Sequence, residues 1–102
     1  MKFYAVHFVH YDSEGWKDKL QSHLDYLKGL VEKGILRASG PLKGTPVRSG
    51  LLIFSAQSRE EVIEAMNGDP FMTHGLVNEM TITEWDPVFG TFSSESSGTV
   101  VP

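Results

Sequence analysis

The sequence predicts an α+β fold whose elements follow one another in the order β-α-β-β-α-β, and three observations support this prediction. Residues 2–11 (KFYAVHFVHY) are rich in aromatic and β-branched side chains, as strands are. From Trp16 onward the apolar side chains recur with the 3.6-residue period of a helix. Residues 50–56 (GLLIFSA) form a nearly continuous apolar run, which is typical of a central strand. This order is that of the ferredoxin-like sandwich, in which both helices cover one face of a single sheet.

The other predicted elements are bounded by glycine, proline and capping residues. They are a turn at 12–15, a first helix ending at Gly34, a second strand over 35–39 ending at Gly40-Pro41, a loop over 42–48, a second helix from Ser58 to Asn67-Gly68, and a fourth strand over 76–85. Glu61 lies three residues after Ser58 and completes a capping box at the start of the second helix. Pro70 has no amide hydrogen and prevents that helix from continuing.

One domain is expected over residues 1–87, followed by a C-terminal tail over 88–102. The stretch 93–99 (SSESSGT) has low complexity, so we expect the tail to be partly mobile. Phe89 and Phe92 precede this stretch, and they are expected to pack either on the domain or on a second subunit. Both predicted central strands are apolar on two sides, whereas the helices cover only one face of the sheet. A homodimer that packs two sheets face to face would bury the remaining apolar patch.

Composition and charge exclude several classes of function. The chain has 13 acidic and 9 basic residues and a net charge of −4, which argues against a nucleic-acid partner. It has no cysteine, so a disulfide, a thiolate nucleophile and a Cys-ligated metal are excluded. No apolar run approaches the ~18 residues that a membrane span needs, and the first residues lack the pattern of a signal peptide. We therefore expect a cytoplasmic protein that has no membrane partner.

His23 interrupts an otherwise apolar face of the first helix. At about 100° per residue the apolar stripe spans roughly 320° to 80° when its first residue is set at 0°, and His23 falls inside it near 340°. The stripe consists of Trp16, Leu20, Leu24, Leu27, Leu30 and Val31. An ionisable ring on a core-facing side needs a hydrogen-bond partner. His23 is therefore either a core histidine bonded to a backbone carbonyl or a functional residue.

Asp69 is the second candidate, because Pro70 after it restricts its backbone to an extended conformation. Simple turn chemistry is the alternative interpretation. If the carboxylate binds one ring nitrogen of His23, the tautomer is fixed and the other nitrogen can act as a general base. His74 follows in a short loop, while His7 and His10 are expected on opposite sides of the first strand.

No histidine pair has the His-x-x-x-His spacing that places two metal ligands on one helix face, and no metal site is predicted. The chain also lacks a glycine-rich phosphate loop and a Gly-x-Ser-x-Gly motif.

Several short motifs together resemble the YCII-related proteins. They are QSHLDYL at 21–27, ASGP at 38–41, DPF at 69–71 followed by Gly75-Leu76, and a last strand that ends at Trp85. The resemblance covers residues 1–87, and the order and spacing of the motifs make it specific. One departure is Leu20, since members often carry an arginine one helix turn before the histidine.

The resemblance implies a dimeric α/β-barrel built from two ferredoxin-like units, with a His-Asp dyad at His23 and Asp69. It implies cofactor-free proton abstraction from a small aromatic metabolite, such as dehydrochlorination of a chlorinated hydroxyhydroquinone, by a lyase or isomerase of aromatic catabolism. A non-catalytic metabolite-binding or regulatory dimer and a purely structural His-Asp pair are the alternatives. The residues expected to contact a flat substrate are Ser39, Gly40, Pro41, Phe71, His74, His7 and Trp16, with Tyr4 or Phe8 as further aromatic wall.

Overall fold

Four antiparallel strands form one sheet, across which they lie in the order second, third, first and fourth strand of the chain. The computed structural model describes residues 1–98. Its elements are β1 (Lys2–His10), α1 (Ser13–Glu32), β2 (Leu36–Leu42), β3 (Arg48–Ala56), α2 (Arg59–Asn67), the short α3 (Pro70–Thr73) and β4 (Glu79–Trp85). The predicted ferredoxin-like α+β fold is confirmed, with β1 and β3 as its central strands. Within residues 1–98, no helix is long and apolar enough to cross a membrane.

Helix α1 begins at Ser13, inside the segment 12–15 in which a turn and the start of the helix were expected. The predicted turn forms its first residues, because the Asp12 side chain accepts a hydrogen bond of 2.9 Å from the amide of Gly15 and caps the helix. At the other end Gly34 has a φ of 75°, and its amide donates to the carbonyl of Val31. This left-handed glycine just past the last turn is the predicted helix end.

Strand β2 is longer than predicted, and Gly40-Pro41 lies inside it rather than at its end. A proline is tolerated there because β2 is an edge strand, whose outer amides need no partner strand. Strand β3 begins at Arg48, so the connecting loop is shorter than the predicted 42–48, and β4 begins at Glu79 instead of at residue 76. Pro70 does end α2, but it also starts α3, where a proline fits the first helical position.

The hydrophobic core lies between the two helices and one face of the sheet. Alternate residues of β1 and β3 point into it and meet apolar side chains of α1 and α2. Its buried members include Tyr4, Val6, Phe8, Leu52, Phe54, Leu27, Leu30, Val62 and Met66. Gly50 of β3 lies opposite Phe8, and a Cβ atom on that glycine would fall 2.5 Å from the phenylalanine ring. The absence of a side chain at this position therefore makes room for the ring.

The tail packs on the other face of the sheet, the open face, which lies opposite the face that α1 and α2 cover. The ring of Phe92 lies 5.3 Å from that of Phe3 and 6.4 Å from that of Trp85. Arg37 of β2 holds Glu95 through two hydrogen bonds of 2.6 and 2.7 Å. The structure thus places residues 93–98 of the stretch expected to be mobile against the domain, and Ser93–Glu95 forms a turn of 3₁₀ helix. Phe89 is 89% exposed, and residues 99–102, the end of the predicted tail, lie outside the described residues.

We expect Gly50→Ala to lower the free energy of unfolding by about 1–3 kcal/mol, because its new methyl group overpacks against Phe8. Gly40→Ala is the matched control, since nothing lies within 4 Å of the Cβ it would add. Urea unfolding followed by circular dichroism measures both variants. Equal stability of the two would contradict the close approach of Phe8 to Gly50.

Candidate functional site

His23 and Asp69 form a buried hydrogen-bonded pair that joins α1 to the start of α3. The Nδ1 atom of His23 lies 2.9 Å from each carboxylate oxygen of Asp69. The histidine is 6% exposed and the aspartate is fully buried. An ionised carboxylate only accepts hydrogen bonds, so Nδ1 carries the proton and donates it to this contact. The neutral ring then has its lone pair on Nε2.

The Asp-Pro-Phe sequence at 69–71 positions the carboxylate. Asp69 is the N-cap of α3, and its Oδ1 accepts a second hydrogen bond of 2.9 Å from the amide of Phe71. The ring of Phe71 stacks on that of His23, with 3.9 Å between centroids and 11° between planes. The local turn therefore supplies both the partner of the imidazole and the surface on which it rests, which leaves little freedom for the ring to rotate.

A cavity of about 450 Å³ lies between α1 and the β2–β3 side of the sheet, and His23 is part of its wall. In residues 1–98 the Nε2 of His23 has no hydrogen-bond partner, and no side-chain nitrogen or oxygen is both sealed from solvent and unpaired. The Nε2 atom is therefore accessible, and the cavity is where an incoming molecule can reach it. The wall is formed by Phe8, His10, Trp16, Leu20, His23, Leu24, Leu27, Lys28, Val31, Leu36, Ser39, Gly40, Pro41, Arg48, Ser49, Gly50 and Phe71.

Most of the residues expected at the substrate site do line this cavity. Those placed in its wall are Trp16, Ser39, Gly40, Pro41, Phe71 and Phe8. Two histidines are not brought to it: His7 alternates with the core-facing residues of β1 and so lies on the open face, and His74 is exposed, with its Nδ1 atom 2.9 Å from the carbonyl of Pro70. Tyr4 packs in the core instead. Asp69 lies behind His23 and does not reach the cavity surface.

His10 is the histidine of β1 that faces the cavity, a choice that the sequence left open. Its Nδ1 atom lies 2.5 Å from the carbonyl of Leu76, which only accepts, so Nδ1 is the donor. Burial lowers the pKa of His10 below its ordinary value of 6.5, and this effect outweighs the hydrogen bond to the Leu76 carbonyl, which acts in the opposite direction. The ring is thus held neutral, with the lone pair on Nε2. Two imidazole rings, those of His10 and His23, therefore belong to one cavity wall.

Arg48 and Lys28 also belong to the cavity wall, and no motif in the sequence pointed to either residue. Arg48 is the first residue of β3, and its guanidinium carbon lies 3.9 Å from the centre of the Trp16 ring. Whether a residue at the end of a strand lines a cavity depends on how the sheet and the helix pack against each other. Within residues 1–98, no group of three or more His, Cys, Asp or Glu side chains is arranged to hold a metal ion.

We expect stability to depend on pH through His10. Because its pKa is lower in the folded than in the unfolded chain, its contribution to the unfolding free energy is complete above pH 6.5 and decreases as pH falls below that value. His10→Asn keeps a donor for the carbonyl of Leu76 and removes the titration. Urea unfolding at several pH values should show a smaller loss of stability towards pH 5 in this variant than in the wild type, whereas His74→Asn should retain the wild-type slope. Equal slopes in all three proteins would be evidence against a neutral, buried His10.

Comparison with solved structures shows which proteins share this fold. The 5-chloro-2-hydroxyhydroquinone dehydrochlorinase TftG of Burkholderia phenoliruptrix, solved with 2,5-dihydroxybenzoquinone, superposes with a TM-score of 0.71 at 24% identity over 81% of this chain and 92% of its own. An uncharacterised NIPSNAP domain protein of Burkholderia xenovorans has a TM-score of 0.55 at 10% identity, covering 85% of this chain and 94% of its own. A dimeric ferredoxin-like protein of unknown function from a Jannaschia species has a TM-score of 0.50 at 13% identity, covering 84% and 99%.

No curated protein matches the chain. A family model does match, and it spans residues 3–86, which include β1 from Phe3 onward, both residues of the His-Asp pair and all of β4. The chain therefore belongs to the family of YCII-related domains.

Proposed function

We propose that this protein is a cofactor-free lyase or isomerase that acts on a small flat aromatic compound, with dehydrochlorination of a chlorinated hydroxyhydroquinone as its first candidate reaction. The observation that carries the proposal is the geometry of His23. Its Nδ1–H donates to the buried carboxylate of Asp69, and within residues 1–98 its Nε2 has no hydrogen-bond partner beside the cavity. A histidine oriented in this way can serve as a general base.

The cavity suits a flat ring. Its volume of about 450 Å³ is within the ordinary range for small-molecule sites. Three aromatic side chains, Phe8, Trp16 and Phe71, contribute to its wall. Because Phe71 stacks on His23 itself, a planar substrate that lies against these rings would meet the imidazole at its edge. A hydroxyl group at that edge could then donate its proton to Nε2.

The candidate reaction balances without an external oxidant or reductant. In the proposed sequence, Nε2 of His23 takes a proton from one ring hydroxyl and returns it to the carbon that bears chlorine. A second hydroxyl then loses its proton to Nε2, and chloride leaves with the electron pair of the C–Cl bond. The products are a hydroxyquinone, chloride and one proton. Asp69 orients the ring and stabilises the imidazolium in each step without taking the proton itself.

The likeness to TftG supports the choice of substrate class. That protein is named as a 5-chloro-2-hydroxyhydroquinone dehydrochlorinase, and its structure holds 2,5-dihydroxybenzoquinone, a flat oxygenated ring. In the present chain the proposed substrate has the same shape, and the cavity offers both an aromatic wall and two imidazole acceptors for ring hydroxyls, from His10 and His23. The chemistry of the proposed base and the form of the cavity are therefore consistent with one another.

The decisive test is chloride release over a panel of chlorinated hydroquinones, with His23→Asn as the variant. Asn keeps a donor towards Asp69 but has no group at the position of Nε2, so we expect kcat to fall by about 10²–10⁴-fold while the fold is kept. Urea unfolding checks the fold, and His74→Asn, outside the cavity, should keep wild-type activity. Undiminished turnover by His23→Asn would reject this assignment, and so would wild-type protein that binds these rings without releasing chloride.

We also propose that the protein works as a homodimer whose sheets pack through their open faces. The tail covers the end of this face near Phe3, but the rest keeps apolar side chains at the surface, among them Leu51, which is 37% exposed. Such a patch is typical of an interface. The ferredoxin-like protein from Jannaschia, which shares the fold, is described as dimeric.

Leu51→Asp tests the proposed dimer, because it would place a charge in the middle of the interface. We expect wild-type protein to sediment as a dimer at micromolar concentration and Leu51→Asp to sediment as a monomer. Val47→Asp is the matched control, since Val47 is 36% exposed but lies in the loop before β3. A wild-type monomer, or a variant that dimerises as tightly as the wild type, would exclude this interface.

A further inference from the structure

The cavity has a charge character opposite to that of the whole protein. The chain carries 13 acidic residues and a net charge of −4. None of the residues in the cavity wall is acidic, whereas Lys28 and Arg48 are basic. The carboxylate nearest to the site, that of Asp69, is fully buried behind His23 and already accepts from that ring and from the amide of Phe71. The polar groups available to a ligand therefore favour an anion.

Arg48 is the residue of this wall best placed to bind an anion. Its guanidinium carbon lies 3.9 Å from the centre of the Trp16 ring, a cation–π contact that restricts the side chain. In the described part of the chain it makes no ion pair, and its N–H groups have no acceptor. Arg37, by contrast, uses two of its N–H groups on Glu95. Arg48 thus retains the planar set of donors that matches a carboxylate or a similar oxygen anion.

The polar residues of the cavity wall differ in their exposure to solvent. Arg48 is exposed, whereas His23 is 6% exposed and His10 is 3% exposed. Arg48 is paired with His10 across β1 and β3 and contacts Trp16, so a ring with one hydroxyl on His23 can direct another oxygen towards the guanidinium. Both residues belong to the same cavity wall, so a single small molecule can meet them together.

We propose that Arg48 recognises an anionic oxygen on the substrate or product ring, at a position other than the hydroxyl that gives its proton to His23. The inference takes its substrate from the proposed function. The preference for an anion, by contrast, is measured by binding alone and needs no turnover. Two kinds of ring carry such an oxygen: a ring with a carboxylate, and a hydroxyquinone, whose hydroxyl is conjugated to a carbonyl and so ionises at neutral pH. In the second case the ring is the product of the proposed reaction, and Arg48 would bind the hydroxyl oxygen that ionises once the quinone has formed.

Binding of matched neutral and anionic rings tests this inference by isothermal titration calorimetry. The first pair is gentisate and gentisamide, which differ in the carboxylate. The second pair is 2,5-dihydroxybenzoquinone, a ligand seen in TftG, and its dimethyl ether. We expect wild-type protein to bind the anion of at least one pair about tenfold more tightly than its neutral match, as one charge-assisted contact would give. That preference should shrink when salt is added.

Arg48→Gln should abolish the preference and leave the affinity for the neutral rings within about twofold of wild type. Arg59→Gln removes one positive charge from α2, away from the cavity, and should keep the preference. Preference in the first pair alone identifies a carboxylated ring, and preference in the second alone identifies an ionised quinone. Equal binding within both pairs, no binding of any of the four compounds, or an unchanged preference in Arg48→Gln would each overturn the inference.

The outcome is independent of catalysis. If wild-type protein shows the anion preference but releases no chloride, the inference about Arg48 stands and the proposed reaction fails. If chloride is released without any anion preference, the reaction stands and the role of Arg48 is excluded.

Discussion

The buried carboxylate of Asp69 needs hydrogen-bond donors, and the donors that it meets connect the elements around the site. Asp69 is fully buried, and an ionised carboxylate without partners in such a position would be strongly destabilising. Two donors from different parts of the chain meet it, the amide of Phe71 and the Nδ1 of His23. The first forms the cap of α3 and the second ties α3 to α1. The pair therefore fixes the distance between α1 and the turn after α2, and with it the end of the cavity.

The two ring nitrogens of His23 differ in role, because Nδ1 holds the structure together and Nε2 is available to a ligand. Nδ1 is committed to the carboxylate, so the ring is held in one tautomer, and Phe71 stacks on its face. Nε2 is left to the cavity. His10 repeats the pattern, with Nδ1 committed to the carbonyl of Leu76 and burial lowering its pKa. Both rings can therefore accept hydrogen bonds from the same ligand, while Arg48 adds a donor at the exposed side. We expect such a site to select among ligands by the positions of their hydrogen-bond donors and acceptors rather than by their size.

The sheet separates two surfaces that serve different purposes. One face, covered by the helices, holds the core and the cavity, and its tight packing requires Gly50 to have no side chain beside Phe8. The open face carries Phe3 and Leu51 and receives the tail through Phe92. Because side chains alternate along a strand, neighbours such as His7 and Phe8 belong to different surfaces. A substitution on β1 is therefore expected to affect either the site or the proposed dimer, but rarely both.

Local patterns in the sequence predicted the element order, the glycine that ends α1 and the inward position of His23, because periodicity and capping are properties of short segments. They also indicated the His23–Asp69 pair once the Asp-Pro-Phe motif was recognised. Residue spacing could not choose between His7 and His10, because both sides of β1 are apolar. The sequence did not foresee that β2 would run through Pro41, which depends on β2 being an edge strand, or that residues 93–98 would pack on the open face. The place of Arg48 in the cavity wall was likewise decided only by tertiary structure, since it depends on how the start of β3 meets Trp16 of α1, 32 residues earlier in the chain.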